Sequence, residues 1–279
     1  MDFIHSWIVP PDSAADPWPY LCIAIVAFLL TSVSKGGFGG GVGILSVPLM
    51  IQAVPSMPFV LGMWLPVLIA CDMATIHQYP KEWNHKAFWH LSPGMLGGIT
   101  AATVVLKLIN PAEHPERKDL LNASLQISTG IICLVFLILQ LRPTKADAPP
   151  WQPTWTVAIP VGLAAGITTV VAHSAGPILL LFLLPQKMDQ RTFVGTTGRF
   201  FFIFNVIKVP YFVYGGLVTA QTFKYGLWLL PLAPLGVWLG AWMNRKLSAV
   251  WFVRIIQLSL VGMAGKLVYD GARALSAHP

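Results

Sequence analysis

Charged residues are scarce in this chain of 279 residues, since Asp, Glu, Lys and Arg together make up only 10% of it. Soluble domains carry about 25% charged residues, so this composition excludes an ordinary soluble enzyme or binding domain. Cations outnumber anions by 18 to 11, but they are scattered over short connections. No basic block or basic–aromatic repeat occurs, and we therefore expect no nucleic-acid partner.

Cysteine is also rare, and its three occurrences, Cys22, Cys71 and Cys133, all lie within apolar stretches. No Cys/His spacing typical of a metal site is present. We interpret the cysteines as small buried side chains and expect neither a metal nor a cofactor. The first 20 residues contain no Lys or Arg, which is unlike the positively charged start of a signal peptide.

Apolar residues, by contrast, form 55% of the chain, and its mean hydropathy is +0.67. About 20 apolar residues span the hydrocarbon core of a bilayer, and the sequence predicts eight such segments. Their approximate bounds are 19–54 (broken), 57–78, 89–108, 119–141, 153–184 (broken), 191–214, 225–243 and 250–269. We therefore predict an all-α polytopic membrane protein embedded in a lipid bilayer.

Glycine-rich polar breaks interrupt the first and fifth segments. The first break reads SKGGFGGGVG at residues 34–43, and the second reads AHSAGP at residues 172–177. Backbone groups freed inside a bilayer must be buried in protein or in a wet cavity, and paired breaks in two halves indicate a transporter's binding site. We predict that the breaks meet, with half-helices beginning at Ile44 and Ile178 whose positive N-terminal ends favour an anion.

The two halves resemble each other at a shift of 133 residues, which aligns Gly43 with Gly176, Gly62 with Gly195 and Asp72 with Asn205. We predict two four-segment repeats, at 1–142 and 153–279, joined by a linker at 143–152. If the broken segments turn back as hairpins, each half crosses the membrane three times and the repeats are inverted. We favour this topology over eight full crossings, because many loop cations then share one side, which would be cytoplasmic.

The order of these elements resembles the TauE/SafE family of sulfite and organosulfonate exporters. The resemblance rests on the run from Lys35 to Gly41, on Val47-Pro48-Leu49, on Pro66 to Asp72, and on residues 172–177, 193–197 and 208–210. It implies a secondary transporter rather than an enzyme, located in the plasma (inner) membrane of a bacterium. The implied activity is export of small sulfur-containing anions, such as sulfite or organosulfonates, by alternating access.

The candidate substrate-binding residues come from the two breaks and the sixth segment: Lys35, Gly36, Gly37, Gly39, Gly40, Gly41, His173, Ser174, Gly176, Arg199 and Asn205. Glycines let a ligand approach the backbone closely, and a lysine deep in an apolar segment attracts an anion. The planar guanidinium of Arg199 can hold two oxygens of an oxyanion. Lys208, further along the same segment, either joins the site or lies near the membrane interface.

Asp72 is the clearest intramembrane carboxylate and the candidate coupling residue. It either takes up and releases a proton during transport or permanently neutralises Lys35 or Arg199. A passive anion channel and a carrier of another small organic anion remain alternative functions. The sequence leaves the anion, the coupling ion and the oligomeric state open; a homodimer is one expectation.

Overall fold

The protein is described by a computed structural model that covers residues 7–11, 13, 16–109, 118–140, 150–246 and 249–276. These residues are mainly helical, and no strand occurs among them. The α-helices are α1 (Pro17–Phe38), α2 (Ser46–Ala53), α3 (Met57–Gln78), α4 (His85–Ile109), α5 (Lys118–Gln140), α6 (Trp155–Ala172), α7 (Ala175–Leu183), α8 (Gln190–Tyr214), α9 (Ala220–Gly226), α10 (Ala233–Lys246) and α11 (Ala249–Ser276).

Five helical stretches are long and apolar enough to cross a membrane: Pro17–Phe38, Met57–Gln78, His85–Leu108, Trp155–Ala172 and Ala220–Lys246. The last stretch is itself irregular, because a 3₁₀ segment at Leu227–Leu232 separates α9 from α10. The prediction of an all-helical membrane protein is thus confirmed. The interruption between α9 and α10 is an addition to the two predicted breaks.

The first broken segment is a hairpin. Helix α1 ends at Phe38, and Gly39 and Gly40 follow with φ angles of 65° and 80°. Only glycine adopts this left-handed conformation readily, so the chain can turn sharply here. A 3₁₀ turn at Gly41–Leu45 leads into α2. The Ser13 hydroxyl donates to the Ala53 carbonyl at 3.1 Å, so the segment returns to the end of the bundle at which it started.

The second broken segment is also a hairpin. Helix α6 ends at Ala172, His173 takes a left-handed φ of 51°, and α7 begins at Ala175. The Trp151 N–H donates to the Pro185 carbonyl at 3.0 Å, which joins the two ends of this segment. Helix α8 follows this hairpin, and Gly195 in its second turn packs against the Glu82 carbonyl in the loop that leaves α3. The second hairpin therefore ends near the C-terminal end of α3, whereas the first ends where α3 begins.

The same kind of helix pairing occurs twice in the bundle. Helix α4, from the first half of the chain, packs on α6 of the second hairpin, and α10, from the second half, packs on α1 of the first hairpin. Helices α5 and α11 pack together, as do α3 and α8. Small residues permit the closest approaches: a Cβ at Gly94 or Gly166 would clash with the backbone of the facing helix.

Candidate functional site

The two breaks meet backbone to backbone at Gly176, the second residue of α7. A Cβ added to Gly176 would lie 2.6 Å from the Gly40 carbonyl oxygen and 3.1 Å from the Gly41 Cα. No side chain fits between the two chain segments at this point. The prediction that the breaks converge is confirmed by this contact.

A small cavity lies at the meeting point. Its lining residues come from both hairpins and from α3 and α8: Thr31, Lys35, Gly40, Gly43, Ser46, Leu68, Thr169, His173, Gly176, Phe201 and Asn205. Its volume is about 20 Å³, which is room for about one water molecule. Six of the eleven lining residues carry polar or charged side chains: Thr31, Lys35, Ser46, Thr169, His173 and Asn205.

Lys35 brings a positive charge to the wall of the cavity. It lies in the last turn of α1, is 7% exposed, and forms an ion pair with the fully buried Asp72 of α3. The other carboxylate oxygen of Asp72 accepts a hydrogen bond from the Asn205 amide at 2.6 Å. The Lys35 Nζ also lies 4.4 Å from the centre of the Phe201 ring, in cation–π geometry. Two helices and the first hairpin are thus joined by one buried ionic network.

Lys208 supplies a second buried cation, and its partners are neutral. Its Nζ donates to the Thr169 carbonyl at 3.2 Å and to the Thr169 hydroxyl at 2.9 Å, and it lies 3.0 Å from His173 Nδ1. His173 Nε2 lies 2.9 Å from the Leu61 carbonyl, which can only accept, so this nitrogen carries the proton. Nδ1 is then the acceptor for Lys208, and this network assigns His173 as a neutral imidazole.

Both half-helices direct their N-terminal ends at the cavity. Ser46 is the first residue of α2 and Gly176 the second of α7, and both line the wall. The helix dipole makes such ends favourable for an anion, although the Ser46 N–H already donates to the Gly43 carbonyl of the preceding 3₁₀ turn. The half-helices begin close to the predicted positions, two residues later in the first hairpin and three earlier in the second.

Several predicted site residues build the turns or the packing rather than the wall. Gly36 and Gly37 lie within α1, where a Cβ would clash with the Val237 and Gly240 carbonyls of α10. Gly39 and Gly41 form the first turn; Gly39 faces the ring of Phe193. The hydroxyl of Ser174 is directed at its own backbone, donating to the Ala172 carbonyl at 2.9 Å. These five residues surround the cavity without lining it.

Arg199 lies away from the cavity and holds a loop. Its guanidinium donates to the carbonyls of Tyr79 (2.9 Å), Glu82 (3.4 Å) and Gly195 (3.1 Å), and also to that of Pro80. These bonds fasten the connection between α3 and α4 to helix α8. The predicted bidentate contact with an oxyanion and the alternative ion pair with Asp72 are therefore both replaced by carbonyl contacts in this structure.

The loop held by Arg199 has its own surface electrostatics. The Lys81 backbone N–H donates to the Glu82 carboxylate at 3.1 Å and, as the largest effect, keeps the pKa of that carboxyl below its usual value. Arg191 forms an exposed ion pair with Glu82 at 2.9 Å and contributes in the same direction. Such exposed pairs are worth little individually, so the Arg199 carbonyl bonds are the main anchor of the loop.

Sequence reasoning left the cavity wall incomplete. The candidate residues did not include several that line the wall: Thr31, Gly43, Ser46, Thr169 and Phe201. The first four belong to the two hairpins, and Phe201 lies two residues after Arg199 on α8. The available signal was hydroxyl residues at the inner ends of the broken segments. Within the described ranges, no group of three or more His, Cys, Asp or Glu side chains is placed to hold a metal ion.

Broken helices and buried ion pairs at membrane depth are typical of proteins that move polar solutes across a bilayer. Together with its long apolar helices, this architecture makes the chain an integral membrane protein of the transporter class. It belongs to the sulfite exporter TauE/SafE family, whose family model matches residues 23–267. The resemblance inferred from the sequence is thereby confirmed. No curated protein and no solved structure matches the chain.

Proposed function

We propose that this protein is a secondary transporter that exports small sulfur-containing anions, such as sulfite or organosulfonates, across the membrane. One observation carries the proposal: a buried lysine lines the cavity at which two unwound hairpins touch. Among the described residues, the Lys35 ammonium contacts only Asp72 and the face of Phe201. Since an ammonium has three N–H donors, hydrogen-bonding capacity remains for a bound oxyanion.

Neutral donors support anion binding beside Lys35. The Thr169 hydroxyl oxygen accepts a hydrogen bond from Lys208, so the Thr169 O–H remains able to donate to a ligand oxygen. The N-terminal end of α7 adds a backbone donor of favourable polarity at Gly176. A cavity of about 20 Å³ is too small for an extended substrate, so binding requires the hairpins to separate slightly. We interpret this conformation as a nearly closed state of the transport cycle.

The inverted repeat is part of the same proposal. Two hairpins opening towards opposite ends, and helix pairings that interchange with the halves, support three crossings per half. A relative movement of the halves would then expose the cavity to each side in turn. To test the topology, single cysteines introduced at Ser56 and Lys187 should be labelled by an impermeant thiol reagent from opposite sides of the membrane, whereas eight full crossings would place both on the same side. Labelling of both from one side would contradict the inverted arrangement.

Asp72 is proposed as the counter-ion of Lys35. Both of its oxygens accept hydrogen bonds, from Lys35 and from Asn205, and these contacts stabilise its charged form. Proton coupling through Asp72 stays a prediction. It requires that an imposed pH gradient drive anion accumulation and that Asp72→Asn abolish this dependence. A location in the bacterial inner membrane and a homodimer likewise stay predictions, which fractionation and mass determination in detergent would check.

The function is tested by the flux of radiolabelled sulfite into proteoliposomes. We expect saturable uptake by the wild-type protein and loss of uptake in Lys35→Ala, with flux normalised to monodisperse protein. Lys246→Ala removes an exposed lysine at the C-terminal end of α10 and serves as the matched control. Equal flux in Lys35→Ala and the control would overturn the site assignment. Currents far above carrier turnover in planar bilayers would instead indicate a channel.

A further inference from the structure

The buried network around the cavity holds unequal numbers of positive and negative groups. Lys35, on the wall, is paired with Asp72, which lies directly behind it. Lys208 is bonded to the wall residues Thr169 and His173 and has no carboxylate partner among the described residues. Because His173 is held neutral, the formal charges at the site sum to one positive unit when Lys208 carries its proton, which a bound anion beside it favours.

A closed site in a bilayer is most stable when its formal charge is close to zero, because an uncompensated buried ion loses its hydration. The helix N-termini at the wall are ends of neutral dipoles. They strengthen the binding of any anion without altering the formal charge that must be compensated. One bound negative charge neutralises the site, whereas two leave it with an excess negative charge.

We propose that the site selects anions by valence, binding a compact singly charged oxyanion in preference to a doubly charged one of the same shape, and that Asp72 sets this preference. The inference rests on the proposed function and specifies its substrate: hydrogen sulfite and monovalent sulfonates are carried, and the sulfite dianion is disfavoured. Asp72 does this by cancelling the charge of Lys35, so that only the charge of Lys208 remains for the ligand.

The variants that test this change the charge of the site by one unit in opposite directions. Asp72→Asn keeps the shape of the side chain and raises the formal charge to two positive units. Lys208→Gln lowers it to zero while retaining a donor for Thr169. Lys246→Gln, at an exposed position at the C-terminal end of α10, is the control and lies outside the site.

The experiment uses perchlorate and sulfate, which are both tetrahedral and differ in charge, as competitors of radiolabelled anion flux in proteoliposomes at neutral pH. The measured quantity is the ratio of their two inhibition constants for each variant. Differences in hydration between the two anions cancel when this ratio is compared between variants. Competition for flux is preferable to thermal shift, because the two salts act oppositely on stability in general.

We expect Asp72→Asn to move the ratio towards sulfate by about tenfold, which corresponds to about 1.4 kcal/mol. Lys208→Gln should weaken both competitors and move the ratio towards perchlorate, so the test stands even if Asp72→Asn does not fold. An unchanged ratio in the folded variants, or a shift in the opposite direction, overturns the valence assignment while leaving the transport function intact. Absence of any anion flux in the wild type would instead remove the proposed function itself.

Discussion

The contact between the two hairpins makes Gly176 the most sensitive glycine of the site. In Gly176→Ala the added Cβ would lie 2.6 Å from the Gly40 carbonyl oxygen, whereas ordinary van der Waals contact begins at 3.4 Å. The nearest atoms are backbone atoms of the other hairpin, so no side chain can rotate away. One hairpin has to move by about 0.8 Å relative to the other.

Overpacking of this kind costs about 1–3 kcal/mol. A loss of about 2 kcal/mol lowers the melting temperature of a chain of this size by about 3–4 °C. We expect Gly176→Ala to show this shift in thermal unfolding of the detergent-solubilised protein. We also expect lower anion flux, because the cavity wall on both sides of the contact is displaced.

Gly265→Ala is the matched control, since the same substitution on α11 meets no heavy atom within 4 Å. A glycine inside a helix costs about 0.5–1 kcal/mol relative to alanine, so this variant should unfold at the wild-type temperature or above it. If Gly176→Ala and Gly265→Ala behave alike, the hairpins do not touch as described. The convergence of the breaks would then have to be abandoned.

Three further predictions concern other contacts. Lys35→Ala leaves Asp72 buried without its cation and should lower the free energy of unfolding by about 3–5 kcal/mol, as measured by denaturant titration; a loss below 1 kcal/mol would mean that the pair is hydrated. Arg199→Ala should increase proteolysis of the loop between α3 and α4 without changing the KM for anion flux, whereas Arg191→Ala, which breaks an exposed pair, should leave cleavage unchanged. Asp189 caps α8, and the hydroxyl and the backbone N–H of Thr192, in that order, lower the pKa of its carboxyl. The charge-dependent part of this stabilisation is therefore present at neutral pH and lost as the pH falls below about 4. Asp189→Ala should cost about 1 kcal/mol at pH 7 and less in strong acid, where the neutral carboxyl still accepts the capping hydrogen bond.

The helical segments could be predicted from the sequence because apolar length and glycine-rich interruptions are local signals. The predicted break at residues 34–43 was nevertheless too wide, since α1 continues to Phe38. Gly36 and Gly37 are required by packing against α10, which lies some 200 residues away along the chain. The sequence does not distinguish a glycine that permits close helix packing from a glycine that turns the chain, because the difference depends on the helix that packs against it.

The roles of the positively charged residues could not be assigned from the sequence either. Arg199 and Lys208 lie on the same helix, nine residues apart, and sequence reasoning favoured the former for the site. Lys208 is completely buried beside the cavity, whereas Arg199 is bound by the carbonyls of a loop that leaves α3. The position of a residue along a helix does not reveal which other segment of the chain its side chain contacts. The proximity of Asp72 to Lys35 was one of the alternatives left open, and only the fold selected it.

The hydrogen bond between Asp72 and Asn205 joins two positions that are 133 residues apart, the same offset at which the sequence predicts the two halves to align. In an assembly of two identical half-length subunits, these positions would be occupied by one residue type, giving either two facing acids or two facing amides. A single negative group at this contact requires that the two positions differ, which one polypeptide carrying both halves allows. Fusion of the halves therefore permits the odd number of charges on which anion discrimination at this site is proposed to depend.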